Sequence, residues 1–319
     1  MRRLGPLVLL LLALPLGRAR ADQSGWAYLI EKLVADGVDR GRVEAVFADR
    51  RVEPFVGLTF SAKHPQEPRA LYRHFLRPAS INAARRCRSQ YAAAFGAAER
   101  TYGVPANVLA TILYVETGCG RVTGSHIIFY RLARLAMANE PANLRRNLAG
   151  AMAAGDAATV MRLRARAHYL EATFYPEVRA LFAAADRMGV SPLEIRGSES
   201  GAFGFPQFLP TSYLAYGVDG DGDGRVSLYD PADAAASCAR YFVGHGWSPG
   251  LSHAQRRNAV WQYNRSDAYV DTVLTLAARI DGPVVSTPRK TRPKHKITHI
   301  RSRPRQQRAS AAKKRKADG

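Results

Sequence analysis

The chain has 319 residues, 47 Lys and Arg against 26 Asp and Glu, and a formal charge of +21. The surplus sits at the ends: residues 1–21 carry +4 and residues 288–319 carry +12, which leaves +5 of the +21 for residues 22–287. Charge therefore excludes reading the whole chain as a nucleic-acid-binding domain. The apolar share of 47% excludes a disordered chain and allows a sizeable core in the middle.

The chain opens with Met1-Arg2-Arg3, an apolar run from Leu4 to Leu16, and Ala19-Arg20-Ala21. This order predicts a secretory signal peptide over residues 1–21, cut after Ala21. No cysteine lies near the cut, so the mature body, residues 22–283, is expected to be exported, periplasmic and soluble, without a lipid anchor. The apolar run is shorter than the roughly 20 residues that a membrane span needs. Three cysteines, Cys87, Cys119 and Cys238, allow one disulfide in an oxidising compartment, and spacing does not say which two pair. No CxxC or Cys/His spacing suggests zinc.

Apolar residues recur at three- and four-residue intervals over 26–34, 91–102, 108–115, 128–138, 158–182 and 269–280, which predicts helices there. Two stretches resist a helix, 196–210 with Gly and Ser and 217–231 with Gly and Asp. Long loops inside a compact body tend to hold function or a ligand. From Pro283 onward Pro, Ser, Thr, Arg and Lys dominate and aromatics vanish, which predicts a disordered basic tail over 284–319.

Within the helix predicted over 108–115, Val108, Ile112 and Glu116 share one stripe at i, i+4, i+8, and the chain then breaks at Gly118 and Gly120. A carboxyl at the edge of an apolar stripe is desolvated and holds its proton toward neutrality, as a general acid must. The spacing equally fits a Glu turned to solvent at the helix end, or one paired with Arg121.

Asp219-Gly-Asp221-Gly-Asp223-Gly224-Arg225-Val-Ser227-Leu-Tyr-Asp230 follows the twelve-residue pattern of an EF-hand-like calcium loop. It offers carboxylates at positions 1, 3 and 5, glycine at 6, the Arg225 carbonyl at 7, Ser227 at 9 and Asp230 at 12. Asp in place of Glu at the last position reaches less far. The expected role of Ca2+ is structural, with affinity of about 10⁻⁴–10⁻³ M, as in extracellular modules.

Glu116-Thr-Gly-Cys-Gly-Arg121-Val-Thr-Gly124 opens an ordered set of motifs. Next comes Gly197-Ser198-Glu-Ser-Gly201-Ala-Phe-Gly204-Phe-Pro-Gln207-Phe208-Leu-Pro210, then the acidic loop, Asp230-Pro231-Ala-Asp233-Ala, Tyr241-Phe242-Val-Gly-His245-Gly246-Trp247 and Tyr263-Asn264. In this order the set resembles the lytic murein transglycosylase B family, over residues 25–280. The resemblance implies a mainly α (α+β) fold: a lysozyme-like catalytic domain, a small accessory region and the calcium loop. It implies non-hydrolytic cleavage of the MurNAc–GlcNAc β-1,4 bond of peptidoglycan, leaving 1,6-anhydro-MurNAc ends. Glu116 then acts as acid and afterwards as base. Ser198 and Gln207 would hydrogen-bond the glycan, and Phe208, Tyr263 and Asn264 would line its groove. The alternatives are a hydrolytic muramidase and a non-catalytic, calcium-stabilised glycan-binding protein.

The sequence departs from that pattern at Cys119, where the family commonly has an aromatic, at Glu199-Ser200, at Pro206, and in the basic tail. The tail lacks aromatics to stack on bases, so its expected partner is an anionic cell-wall or membrane surface and no dedicated nucleic acid. No organic cofactor is expected, and the body reads as a monomer.

Overall fold

The structure, a computed structural model, describes residues 24–63 and 67–281. The expected signal segment and basic tail lie outside the described residues. Among those described, no helix is long and apolar enough to cross a membrane.

Among the described residues, twelve α-helices and one two-stranded sheet are formed. The first helices are α1 (Ala27–Ala35), α2 (Arg40–Ala48), α3 (Pro78–Gln90), α4 (Ala92–Tyr102) and α5 (Ala106–Thr117). Strand β1 (His126–Ile127) leads into α6 (Ile128–Ala136), α7 (Pro141–Ala153) and α8 (Ala157–Met188). Strand β2 (Arg196–Gly197) precedes α9 (Pro210–Tyr216), α10 (Pro231–Gly244), α11 (His253–Tyr263) and α12 (Asp267–Arg279). All six helices expected from periodicity are present. The longest gains residues at its C-terminal end, closed at Gly189 in the left-handed conformation.

The six further helices lack a plain apolar stripe. Helix α3 interrupts its apolar positions with Arg85, Arg86 and Arg88, α10 buries mostly alanines, and α11 is polar. Helix α11 starts on a capping box in which Ser252 and Gln255 satisfy one another's backbone N–H groups. Tertiary contact rather than amphipathic pattern holds these segments.

The helices enclose two apolar cores. One gathers Phe95, Leu109, Leu113, Phe242 and Tyr269 from α4, α5, α10 and α12. The other gathers Phe47, Phe129, Phe182 and Tyr213 from α2, α6, α8 and α9, over Trp26. Helix α5 belongs wholly to the first core: every residue from Val108 to Tyr114 is buried. A helix apolar on all sides is stable only when surrounded. Past this buried stretch, at Val115 and Glu116, it regains contact with solvent.

Residues 196–209 join the cores. Strand β2 pairs antiparallel with β1, with His126 opposite Gly197 and Ile127 opposite Arg196. Phe203 and Phe208 then enter the second core, while Phe205 enters the first. The segment predicted to resist helix thus pins the two cores together beside the end of α5.

Candidate active site

Three successive residues after α5, Gly118, Cys119 and Gly120, have positive φ. The N–H groups of Gly118 and Cys119 turn back to the carbonyls of Tyr114 and Leu113, at 2.8 and 2.9 Å. Glycine meets this conformation without strain and Cys119 does not, so tertiary bonds must hold it. A disulfide joins Cys119 to Cys87 on α3. Cys119 therefore replaces the aromatic that the resemblance leads one to expect with a covalent tie. Thr117, 2% exposed, places its hydroxyl 3.0 Å from the Phe205 carbonyl and accepts from the Gly120 N–H at 2.9 Å. At Gly120 a Cβ would lie 2.0 Å from the Phe205 ring, so only glycine permits this approach.

On this turn Glu116 accepts a 2.6 Å hydrogen bond at Oε1 from the hydroxyl of Tyr269, on α12. The residue keeps a partly open surface, yet dense protein surrounds its carboxyl. Burial pushes it up to about 7; the Tyr269 bond pulls downward, and the charge of Glu67 adds to the rise. Arg121 does not pair with it: its Nε donates to the Gly118 carbonyl at 2.9 Å. The other groups around the carboxyl are neutral. Tyr263 lies parallel to Tyr269 with ring centroids 6.5 Å apart, and Tyr72 meets Tyr269 edge-on at 5.9 Å. Burial drives the Cys238 thiol on α10 well above its ordinary range, so it stays protonated.

The other expected glycan contacts are placed as follows. Ser198 accepts the Ala202 N–H at 3.1 Å and closes its own turn. Gln207, at φ 51°, donates from Nε2 to the carbonyls of Thr123 and Gly204, at 3.1 and 2.9 Å, tying the Glu116 turn to the 203–208 segment. Tyr263 is half-buried and donates to the Pro206 carbonyl, while Asn264 ends α11 with partial exposure. Phe208 departs from expectation. It is 3% exposed and packed against Tyr241 and Tyr263 in the second core, so its ring is not open to a ligand.

Sequence reasoning missed Tyr269, Tyr72 and Glu67. Tyr269 reads as one more apolar residue of α12, and only the packing of α12 on α5 brings its hydroxyl to Glu116. Tyr72 lies between two short 3₁₀ turns, Arg69–Leu71 and Arg73–Leu76, with no periodicity to mark it.

In the acidic loop, Asp219 accepts the N–H groups of Gly222 and Gly224, and Asp221 and Asp223 each accept one two residues on. The carboxylates whose ligand atoms come within 4.8 Å of one another are Asp219, Asp221 and Asp233. Asp230 instead caps α10, accepting from Ala232 N–H at 2.7 Å and Asp233 N–H at 3.3 Å. Asp233, 2% exposed, reaches across the loop to the N–H groups of Gly220 and Ser227 at 2.7 and 2.6 Å. The twelve-residue template thus places the closing acid three residues early, because Pro231 starts α10 and commits Asp230 to its cap. Three carboxylates, one of them buried, form a hard-oxygen donor set that fits a divalent cation. The loop bears on the site through Leu228, whose carbonyl accepts the Phe205 N–H at 2.8 Å.

Residues 21–259 match the model of the transglycosylase SLT domain. The chain belongs to that family. It is 32% identical over 233 residues to the membrane-bound lytic murein transglycosylase B of Escherichia coli strain K12, a span covering 69% of this chain and 57% of that relative's length. The fold matches the Escherichia coli lytic transglycosylase SLT35 in complex with calcium, with a TM-score of 0.58, 25% identity, and coverage of 82% of this chain and 92% of that one. It also matches the soluble lytic transglycosylase SltB1 of Pseudomonas aeruginosa, with a TM-score of 0.60, 24% identity and coverage of 80% and 97%. The mainly helical, lysozyme-like architecture is shared with these structures.

Proposed function

We propose that the protein is an exported lytic transglycosylase that cleaves peptidoglycan without water. The observation that carries this reading is Glu116: one carboxyl, hydrogen-bonded by Tyr269 and held toward neutral pH by burial, at the C-terminal end of α5 where the helix meets solvent. The family relatives named for lytic murein cleavage support it. In the first step the protonated Glu116 gives its proton to the glycosidic oxygen as the bond from that oxygen to muramyl C1 breaks. In the second, the Glu116 carboxylate takes the proton of the muramyl C6 hydroxyl while that oxygen bonds to C1. Glu116 ends as it began, and no water is consumed. The attacking hydroxyl belongs to the same sugar, which gives it a high effective molarity. Ser198, Gln207, Tyr263 and Asn264 lie in segments bordering this turn, where they serve the glycan groove.

Digestion of purified sacculi followed by mass spectrometry tests the reading. Products are expected to end in anhydro-muramyl groups, each lighter by one water than a hydrolysed end. Reducing ends alone would make the protein a muramidase, and intact sacculi would make it a binding protein.

Asp219, Asp221 and Asp233, with Asp223, the Arg225 carbonyl and Ser227 beside them, would hold Ca2+. The SLT35 structure with calcium supports this assignment. The ion would neutralise the clustered carboxylates and brace Leu228 against the Phe205 segment. Removing calcium from about 100 times its dissociation constant is expected to withdraw about 3 kcal/mol, seen as a fall of several degrees in Tm. D233N should lose the calcium-dependent rise in Tm, while D230A should keep it and lose about 1 kcal/mol of helix capping. Equal melting with calcium and chelator would refute the metal site.

The expected export over residues 1–21 and the attraction of the basic tail to an anionic wall surface belong to the same proposal. A variant ending near Gly282 should bind sacculi less at low salt.

A further inference from the structure

A second carboxylate stands near the reacting end of α5. Glu67 accepts a hydrogen bond from the Tyr72 hydroxyl. The ring of Tyr72 meets Tyr269 edge-on at 5.9 Å, and the Tyr269 hydroxyl holds Glu116 at 2.6 Å. The four side chains form one line from the surface to the acid. They come from two distant parts of the sequence besides α5: the turn before α3, and α12.

We propose that Glu67 is a positioning residue of the active site, anchoring Tyr72, and through it Tyr269, against Glu116 while directing a negative charge at the reacting centre. The inference rests on Glu116 as the acid. Its physical basis is the composition of the surroundings. On α12 the facing group is Tyr269; on α11, Tyr263; on α10, Cys238; between the two 3₁₀ turns, Tyr72. These four are neutral; α3 and α4 also pack on α5, but their Arg85, Arg86, Arg88, Glu99 and Arg100 are not among the charges that act on the Glu116 carboxyl. Glu67 is the charged group whose field is felt at the Glu116 carboxyl, and like charge favours its protonated form. The same negative charge would favour the positive character that develops at muramyl C1 as the glycosidic bond breaks. The Tyr72 hydrogen bond removes the freedom of an otherwise exposed side chain, so its charge stays in one place.

Two variants separate charge from anchoring. E67Q keeps a hydrogen-bond acceptor for Tyr72 and removes the charge. Y72F keeps the charge and removes the anchor. The measurement is the pH profile of sacculus solubilisation, with kcat and KM read apart on a soluble glycan. For E67Q the alkaline limb is expected to move about half a unit lower, so that at pH 8 it retains about threefold less of its own maximum than the parent retains. For Y72F the limb is expected to move less than in E67Q, while kcat falls severalfold and Tm changes little. An unmoved limb in E67Q, with kcat and KM as in the parent, overturns the inference. A uniform loss at every pH also overturns it, since that is what a merely structural role would produce. Neither outcome touches Glu116 as the acid: failure of that reading would show as retained turnover in E116Q.

Discussion

E116Q is expected to lose turnover by about 10²–10⁴-fold, the range supplied by a positioned general acid, and at pH 8 to fold more stably than the parent. Both effects follow from one group. Glutamine keeps an oxygen to accept the Tyr269 hydroxyl, so the geometry persists, but it has no proton to give. The carboxyl of the folded chain titrates near 7 against an ordinary value of 4.5. Below pH 4.5 it is protonated in both folded and unfolded chains and does not affect stability. Between 4.5 and 7 the folded chain holds a proton that the unfolded chain has released, so stability falls as pH rises. Above 7 the full penalty, about 3 kcal/mol, is present. Glutamine carries none of it. E116Q should therefore melt with the parent at pH 4 and up to several degrees higher at pH 8. Equal melting at both pH values would show that the carboxyl is not held in a penalising environment, and full sacculus solubilisation would remove Glu116 from the reaction. Activity of the parent should correspondingly decline as pH rises through about 7.

The second large effect is expected from the tie between Cys87 and Cys119. It closes a loop of sequence separation 32, and the chain-entropy account gives about 3–4 kcal/mol for such a closure. Reduction of the oxidised protein, or C87A/C119A, should lower stability by that amount, a fall of roughly 10 °C in Tm. The position makes the loss more than global. Cys119 sits at φ 62° three residues past Glu116, in a turn whose neighbours are glycines. Released from α3, that turn should relax and activity should fall even where the chain is still folded. Treating C87A/C119A with reductant should change nothing further, since Cys238 is buried and free. A reduced parent melting at the oxidised temperature would refute the stabilising role.

Much of this site was visible along the chain, and what was missed has a common cause. Glu116 became a candidate because three apolar turns lead up to it and two glycines end the helix, and the motif it opens, by its resemblance, gave it the role of acid. The acidic loop stood out because ligands on alternate residues are a local pattern. Its closing acid was misplaced because choosing between Asp230 and Asp233 depends on where α10 begins and how it lies against the loop. Phe208 fits the groove by its neighbours in sequence, yet its ring packs in the second core. Tyr269 meets Glu116, and Tyr72 and Glu67 stand behind it, across separations that no spacing rule spans.

Local periodicity was thus enough for the helical class, and ordered motifs for marking Glu116 and the 219–230 segment as candidates, since each depends on residues within one or two turns of each other. The pairing of Cys87 with Cys119, the tyrosine that holds the acid, the buried aspartate closing the loop and the facing carboxylate were decided by tertiary structure. Each arises where separate helices pack, and the burial that pushes Glu116 toward 7 exists only after α10, α11 and α12 have closed around α5. A sequence carries the groups; the dielectric and the distances between them come from the packed chain.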